Sequence, residues 1–358
     1  MTKGITRFAA VVLFAAVTAT PLTAQFGPEP DFTVTAAERA QVIESSLARL
    51  NQYYVFPDVA KKMEQAVRAR AAKGEYDAIT SAKALADKLT ADLREVSKDK
   101  HLGVRYSNQA VPDLPFNQPP TAEQLEQQRA FASRVNYGFE KVERMQGNIG
   151  YIDIRGFIPP EVGGETAAAA MTFVGNTDAL IVDLRFNGGG EPAMIAFLTS
   201  YLFDAPTHLN DIYTRVDDST QQFWTAPFVP GRRFGGQKPV YVLTSKRTFS
   251  GGEEFAYNLK NLKRATVIGE TTGGGAHPVH GVKVSEHFEI GVPFARAVSP
   301  VTKTNWEGAG VSPDIAMPAD QALDHAYVLA LEKVVAGTSD ANRKAALQRL
   351  LDEKKQKK

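Results

Sequence analysis

Between Ile43 and Val96 apolar side chains recur at intervals of three or four: Ile43, Leu47, Leu50 and Tyr54, then Val59, Met63 and Val67, then Leu85, Leu89, Leu93 and Val96. That spacing places them on one face of successive helices. Thr35-Ala36-Ala37-Glu38 has the spacing of a capping box and marks the first helix start. Pro57 and Gly74 punctuate the run, so residues 32 to 98 read as a small helical bundle with few groups for chemistry. A Pro-rich linker around Phe26 to Asp31 precedes it, and a second Pro-rich connector covers Pro112 to Pro120. A short polar helix through Ala132 and a strand over Val135 to Val142 are expected next.

The pattern then changes. Ile149 to Ile154, Ala179 to Leu184, Val240 to Leu243 and Ala265 to Ile268 are short, nearly continuous apolar runs, the signature of strands buried on both faces. Helical stretches at Gly164 to Val174, Pro192 to Phe203 and Gly251 to Leu262 lie between them. Strand and helix alternate, which predicts an α/β sheet whose ligand crevice lies beyond the carboxyl ends of its strands. Val282 to Val298 reads as a hairpin turning near Gly291, and two helices, Gln321 to Val335 and Ala341 to Lys354, complete the pattern.

Composition changes the picture at the amino terminus. Lys3 and Arg7 precede the apolar run Phe8 to Thr18, and small Ala24 follows Pro21-Leu22-Thr23 at a plausible cleavage point. This reads as a secretory signal over residues 1–24, because the run falls short of the roughly 20 residues a bilayer needs. Its removal moves the formal net charge from +1 to −1. Near-neutrality argues against a nucleic-acid partner. There is no cysteine, which excludes disulfides, a thiol nucleophile and thiolate metal sites, and fits a bacterial periplasm or cell exterior. No other run spans a membrane, so no stable anchor is expected after signal cleavage.

Two turns carry candidate chemistry. Thr248-Phe249-Ser250-Gly251-Gly252-Glu253-Glu254-Phe255 passes from a strand to a helix start, where small neighbours give access to the Ser250 hydroxyl and first-turn amides face a developing anion. Arg185-Phe186-Asn187-Gly188-Gly189-Gly190 follows another strand and exposes amides suited to an oxyanion hole. Neither a phosphate-loop pattern nor a complete dinucleotide fingerprint is present. A serine nucleophile needs a base, and the histidines are His101, His208, His277, His280, His287 and His325; spacing does not choose among them. His277 follows Thr271-Thr272-Gly273-Gly274-Gly275 after the next strand, whereas His101 ends the helical region in Asp99-Lys100-His101.

In order, Asp183 to Gly190, Thr244-Ser245 through Phe255, Ile268 to Gly275 and Gly310-Val311-Ser312-Pro313-Asp314 resemble the successive signatures of the tail-specific, or C-terminal-processing, serine peptidases. The resemblance covers roughly residues 30 to 335 and is nearest the interphotoreceptor-retinoid-binding-protein-like branch. It implies an α/β fold with a ClpP/crotonase-like core over 148–335, an N-terminal helical domain over 32–106, a connector and first strand over 107–147, and a C-terminal helix with a basic tail over 336–358. Residues 107 to 147 are too few for the PDZ domain many members carry.

Carried over by position, the resemblance makes Ser250 the nucleophile and the amides near Gly188, Gly189 and Gly251 the oxyanion donors. The family's serine–lysine dyad is broken, because its lysine would fall at Gly275. Tricorn-type relatives use a histidine placed before the core and a glutamate before the Gly-Val-x-Pro-Asp motif, which points to His101 as base and Glu307 as an orienting partner. His277 and Glu253 are secondary candidates; Glu253 and Glu254 also suit a helix amino terminus. Phe157, Phe223, Trp224 and Trp306 are candidates for an apolar subsite. The activity implied is an exported serine endopeptidase acting on polypeptides through an acyl-enzyme, with no cofactor and no metal required. Two rivals share these residues: a non-catalytic binder of an apolar retinoid- or lipid-like ligand, and a crotonase-like acyl-thioester enzyme, for which no nucleotide-recognition motif is evident.

Overall fold

The computed structural model describes residues 30–113, 116 and 121–356. The expected signal over 1–24 and parts of both Pro-rich connectors lie outside the described residues. The chain divides into two compact units, one of residues up to 128 with 213–219 and 277–296, the other of 129–212, 220–276 and 297–358.

In the first unit α1 (Ala36–Tyr53), α2 (Pro57–Ala72) and α3 (Ala82–Ser97) follow the predicted periodicity. The capping box forms, with the Glu38 amide donating to Thr35 Oγ1 at 3.2 Å and the Thr35 amide to Glu38 Oε2 at 2.7 Å. The apolar stripe of these helices is covered by strands distant in sequence. β1 (Gly103–Tyr106) pairs antiparallel with β10 (Phe288–Pro293), which pairs in turn with β9 (Val279–Ser285). Leu47, Leu50, Met63, Leu85 and Leu89 share one core with Val282, Phe288 and Ile290. Hairpin and helices therefore form one hydrophobic body, although some 180 residues of chain separate them.

The hairpin turns at Glu286 and His287, not near Gly291. Gly291 instead pairs with Gly281 on one side and Gly103 on the other, and a Cβ there would sit 3.5 Å from the His101 carbonyl oxygen. The glycine marks a close approach of three strands, which the sequence pattern does not distinguish from a turn.

The second unit is built on a six-stranded sheet in the order β12-β8-β7-β4-β3-β2. β3 (Ile149–Ile154), β4 (Ala179–Asp183), β7 (Val240–Thr244), β8 (Thr266–Gly269) and β12 (Ile315–Ala316) run parallel; β2 (Phe139–Met145) is the antiparallel edge. The expected strand over 135–142 starts later, because Asn136–Gly138 forms a 3-10 turn with Asn136 and Tyr137 at positive φ. α4 (Ala122–Arg134) precedes it.

The apolar runs are continuous because both sheet faces are covered. Ile152, Leu180, Val182, Val242 and Val267 pack on the side of α5 (Pro160–Val174), α6 (Pro192–Thr199) and α7 (Gly251–Asn261). Tyr151, Ile181, Tyr241, Leu243 and Ile268 face α8 (Ala322–Gly337) and α9 (Ala341–Gln356). Alternate residues of one strand thus serve two cores. Between β4 and β7 the chain adds β5 (His208–Thr214) and β6 (Ser219–Trp224), which share a small sheet with β11 (Ala295–Val298). Among the described residues no helix is long and apolar enough to cross a membrane.

Candidate active site

At the carboxyl ends of β4 and β7 the two predicted turns meet. Asn187, fully buried, joins them: its side-chain amide donates to the Ile154 carbonyl at 3.0 Å, its Oδ1 accepts the Gly189 amide at 2.9 Å, and its own carbonyl accepts the Phe249 amide at 3.0 Å. Thr248 adds a hydroxyl bond to the Leu184 carbonyl at 2.7 Å. At this junction the backbones are too close for side chains. A Cβ on Gly189, whose φ is +112°, would lie 2.8 Å from Ser250 Cβ, and one on Gly252 would lie 2.7 Å from Asn187 Oδ1.

Ser250 is half-buried and sits directly before α7 with φ 54° and ψ −119°. For a residue with a side chain this backbone is strained by about 1–3 kcal/mol and persists only where the surroundings over-determine it. Strain at a strand-to-helix turn is how a nucleophile elbow exposes its hydroxyl. The sequence lacks the elbow's usual glycine pattern, yet the geometry has the same character.

The predicted oxyanion donors differ in status. The Gly188 amide donates to the Arg155 carbonyl at 3.2 Å and the Gly189 amide to Asn187 Oδ1, so both are engaged in this structure. Gly251 occupies the first position of α7, where an amide has no intrahelical acceptor, and among the described residues no bond from it is recorded.

Behind the serine lies Glu253, which is completely buried. Its Oε2 accepts the amides of Ser250 and Gly275, each at 2.8 Å, and its Oε1 accepts the Thr272 hydroxyl at 2.5 Å and the Gly274 amide at 2.6 Å. Burial pushes this carboxyl above the usual range, and the four donors oppose that rise. The far side of the same glycine loop is held by Trp306 Nε1, donating to the Gly275 carbonyl at 2.7 Å, and by the Gly308 amide, donating to the Gly274 carbonyl at 3.1 Å. Glu307 Oε2 accepts the Ala276 amide at 2.5 Å. Phe157 and Trp306 are buried core residues rather than subsite walls, while Trp224 is 48% exposed and stacks on His208 with ring centroids 4.5 Å apart.

Both candidate bases belong to the first unit. α3 ends with Lys98 in the left-handed conformation, and the following turn is held by Arg94, whose guanidinium donates to the carbonyls of Leu102 at 2.6 Å and Lys100 at 2.7 Å. Asp99 is 1% exposed, accepts the His101 amide on Oδ1 at 3.0 Å, and lies 2.7 Å from His277 Nδ1 through Oδ2. Burial works against ionisation of Asp99, but the bond from His277 and the neighbouring histidines leave it below the ordinary carboxylate range. An ionised carboxylate only accepts, so Nδ1 of His277 carries the proton. Phe56 meets the His277 ring in a T-shaped contact at a centroid distance of 5.4 Å. The imidazole of His101 is pushed down to about 4, chiefly by burial.

The sequence reading singled out the serine turn and both histidines as candidates, but gave Asp99 no role. Its signal was an acidic residue two positions before a candidate histidine; its partner is 178 positions away.

Residues 148–317 match peptidase family S41, and residues 34–140 match the N-terminal domain of Peptidase_S41 in eukaryotic IRBP. The chain is 31% identical over 104 residues to a tail-specific protease of Haemophilus influenzae, covering 27% of this chain and 13% of that protein. It is 29% identical over 179 residues to carboxyl-terminal-processing peptidase 2, chloroplastic, of Arabidopsis thaliana, covering 48% of this chain and 32% of that protein. The chain therefore spans less than a third of the length of either curated relative. Among solved structures, a peptidase candidate from Parabacteroides merdae aligns with TM-score 0.56 at 18% identity, over 82% of this chain and 96% of that one. A lipoprotein from Streptococcus agalactiae aligns with TM-score 0.53 at 14% identity, over 85% and 98%. These structural likenesses concern the fold: a helical N-terminal region and an α/β unit around a central sheet. The two matched segments, 148–317 and 34–140, show that the chain belongs to peptidase family S41.

Proposed function

We propose that the protein is an exported serine endopeptidase that hydrolyses polypeptides through an acyl-enzyme on Ser250. The observation that carries this reading is the backbone of Ser250, at positive φ on a strand-to-helix turn with the first-turn amide of Gly251 beside it. A base removes the hydroxyl proton as Oγ attacks the scissile carbonyl; helix-terminal and glycine-loop amides hold the oxyanion; the protonated base then delivers its proton to the leaving amine, and water hydrolyses the ester. Gly251 is the oxyanion donor best supported. Gly188 and Gly189 join it only if their amides exchange acceptors.

As base this reading favours His277 over His101. Asp99 Oδ2, 2.7 Å from His277 Nδ1, orients that imidazole, while burial makes His101 the weaker proton acceptor. Glu307, through the amide of Ala276, holds the residue directly before His277 and fits an orienting role. Export rests on the leader-like pattern of Lys3, Arg7 and Phe8 to Thr18, and the mature amino terminus found by intact mass of periplasmic or secreted protein tests it.

The activity is tested by hydrolysis of an unfolded polypeptide. Cleavage by the wild type and none by folded Ser250→Ala supports the reading. A folded wild type without cleavage that takes up a fluorescent retinoid or lipid supports the binding rival instead.

A further inference from the structure

A glutamate at the third position of a helix commonly caps the amide at the helix start, and such a residue is usually solvated. Glu253 departs from that pattern in two ways. It is completely buried, and three of its four donors, Thr272, Gly274 and Gly275, come from a loop 19 to 22 residues further along the chain. The fourth donor is the amide of Ser250 itself, whose backbone is strained. A carboxylate is the group this arrangement requires. Each oxygen faces two donors, so a proton or an amide NH2 in its place would meet hydrogens head-on.

We infer that Glu253 is a positioning residue: its carboxylate clamps the Ser250 turn to the Thr272–Gly275 loop and so sets the attack geometry of the serine hydroxyl. The inference rests on Ser250 being the nucleophile. The clamp has a far side, because the same loop is bonded by Trp306 and Gly308, and the next residue, Ala276, by Glu307. Glu253 thereby links the serine backbone to Glu307 through hydrogen bonds to the Gly274–Ala276 backbone within one compact unit. Glycines are needed here for contact: a Cβ on Gly273 would lie 2.7 Å from Phe249 Cδ2, and one on Gly274 would lie 3.0 Å from the Gly308 carbonyl.

The test is the second-order rate at which a fluorophosphonate acylates Ser250 in the full-length protein, read by intact mass, together with kcat and KM on an unfolded polypeptide. Glu253→Gln keeps the shape but presents an NH2 to two donors. Its acylation rate and kcat are expected to fall by about 100-fold or more, the effect of a displacement near 1 Å, with KM changed by less than about threefold. Thr272→Val removes one donor and is expected to slow acylation about three- to tenfold, the loss of one hydrogen bond. Folded Glu253→Gln labelled at the wild-type rate would overturn the inference. If that variant does not fold, unchanged labelling of Thr272→Val overturns it. A wild type with no adduct on Ser250 removes the nucleophile reading, and the inference falls with it.

Discussion

The Ser250 turn and the Asp99–His277 pair are held in place by opposite means. Around Ser250 many backbone amides converge on two buried side chains: those of Ser250, Gly274 and Gly275 on Glu253 and that of Gly189 on Asn187, whose carbonyl also accepts the Phe249 amide. His277 is instead oriented by one buried carboxylate and an aromatic edge. Loss of one donor around Ser250 leaves the others in place and is partly compensated, whereas loss of Glu253, on which four of them converge, is not. In the second region the buried carboxylate of Asp99 holds Nδ1 of His277, and function should fail with that side chain while the fold survives.

The largest effects should separate the two histidines. His277→Ala is expected to lower kcat by about 10²–10⁴-fold, the usual contribution of a general base, while His101→Ala loses less than about tenfold. Full activity in His277→Ala with loss in His101→Ala would reverse the assignment. Asp99→Asn comes next. Its amide can offer a hydrogen to Nδ1 and stabilise the wrong tautomer, so kcat should drop by about 10²–10³-fold. The thermal melt should move little, and the Nδ1 proton resonance of His277 should disappear from its downfield position.

Within the serine region, Gly189→Ala places a methyl 2.8 Å from Ser250 Cβ at a φ of +112°. A fall of about 10–100-fold in fluorophosphonate labelling, with a lowered melting temperature, is expected from displacement of the serine.

The smallest effect concerns stability. Glu254 is buried beside the clamp residue, and burial raises its carboxyl from 4.5 to about 7. The folded chain keeps this proton where the unfolded chain has released it, so its contribution is fully present below about 4.5 and is lost as pH rises towards 7. Glu254→Gln should flatten the fall in urea stability between pH 4 and pH 8 by at most about 3 kcal/mol. An unchanged slope would show that Glu254 is not ionised by folding-linked titration in that window.

The same contrast explains what the sequence made legible. Ser250, Gly189 and Asn187 follow strands whose buried runs announce themselves, and strand, turn and helix are consecutive, so topology brings the two turns to one edge of the sheet. His277 and Asp99 meet because the β9–β10 hairpin packs on the N-terminal helices. No periodicity spans 178 residues. Gly291 was read as a turn because a glycine needed for strand contact and one needed for positive φ look alike in a sequence. β6 gave no signal because it is largely solvent-exposed, and β5 because polar His208, Asn210 and Asp211 interrupt its partly buried run. Gly188 and Gly189 were read as oxyanion donors on the turn after β4, but which amide is left open to a further acceptor depends on Asn187 and Arg155.

The central claim is that Ser250 is an activated nucleophile. Fluorophosphonate treatment of folded wild-type protein, followed by peptide mass mapping, tests it most directly. The account predicts one adduct, on Ser250, absent from Ser250→Ala and strongly slowed in Asp99→Asn. No adduct on folded protein, or an adduct on another residue that persists in Ser250→Ala, would contradict it.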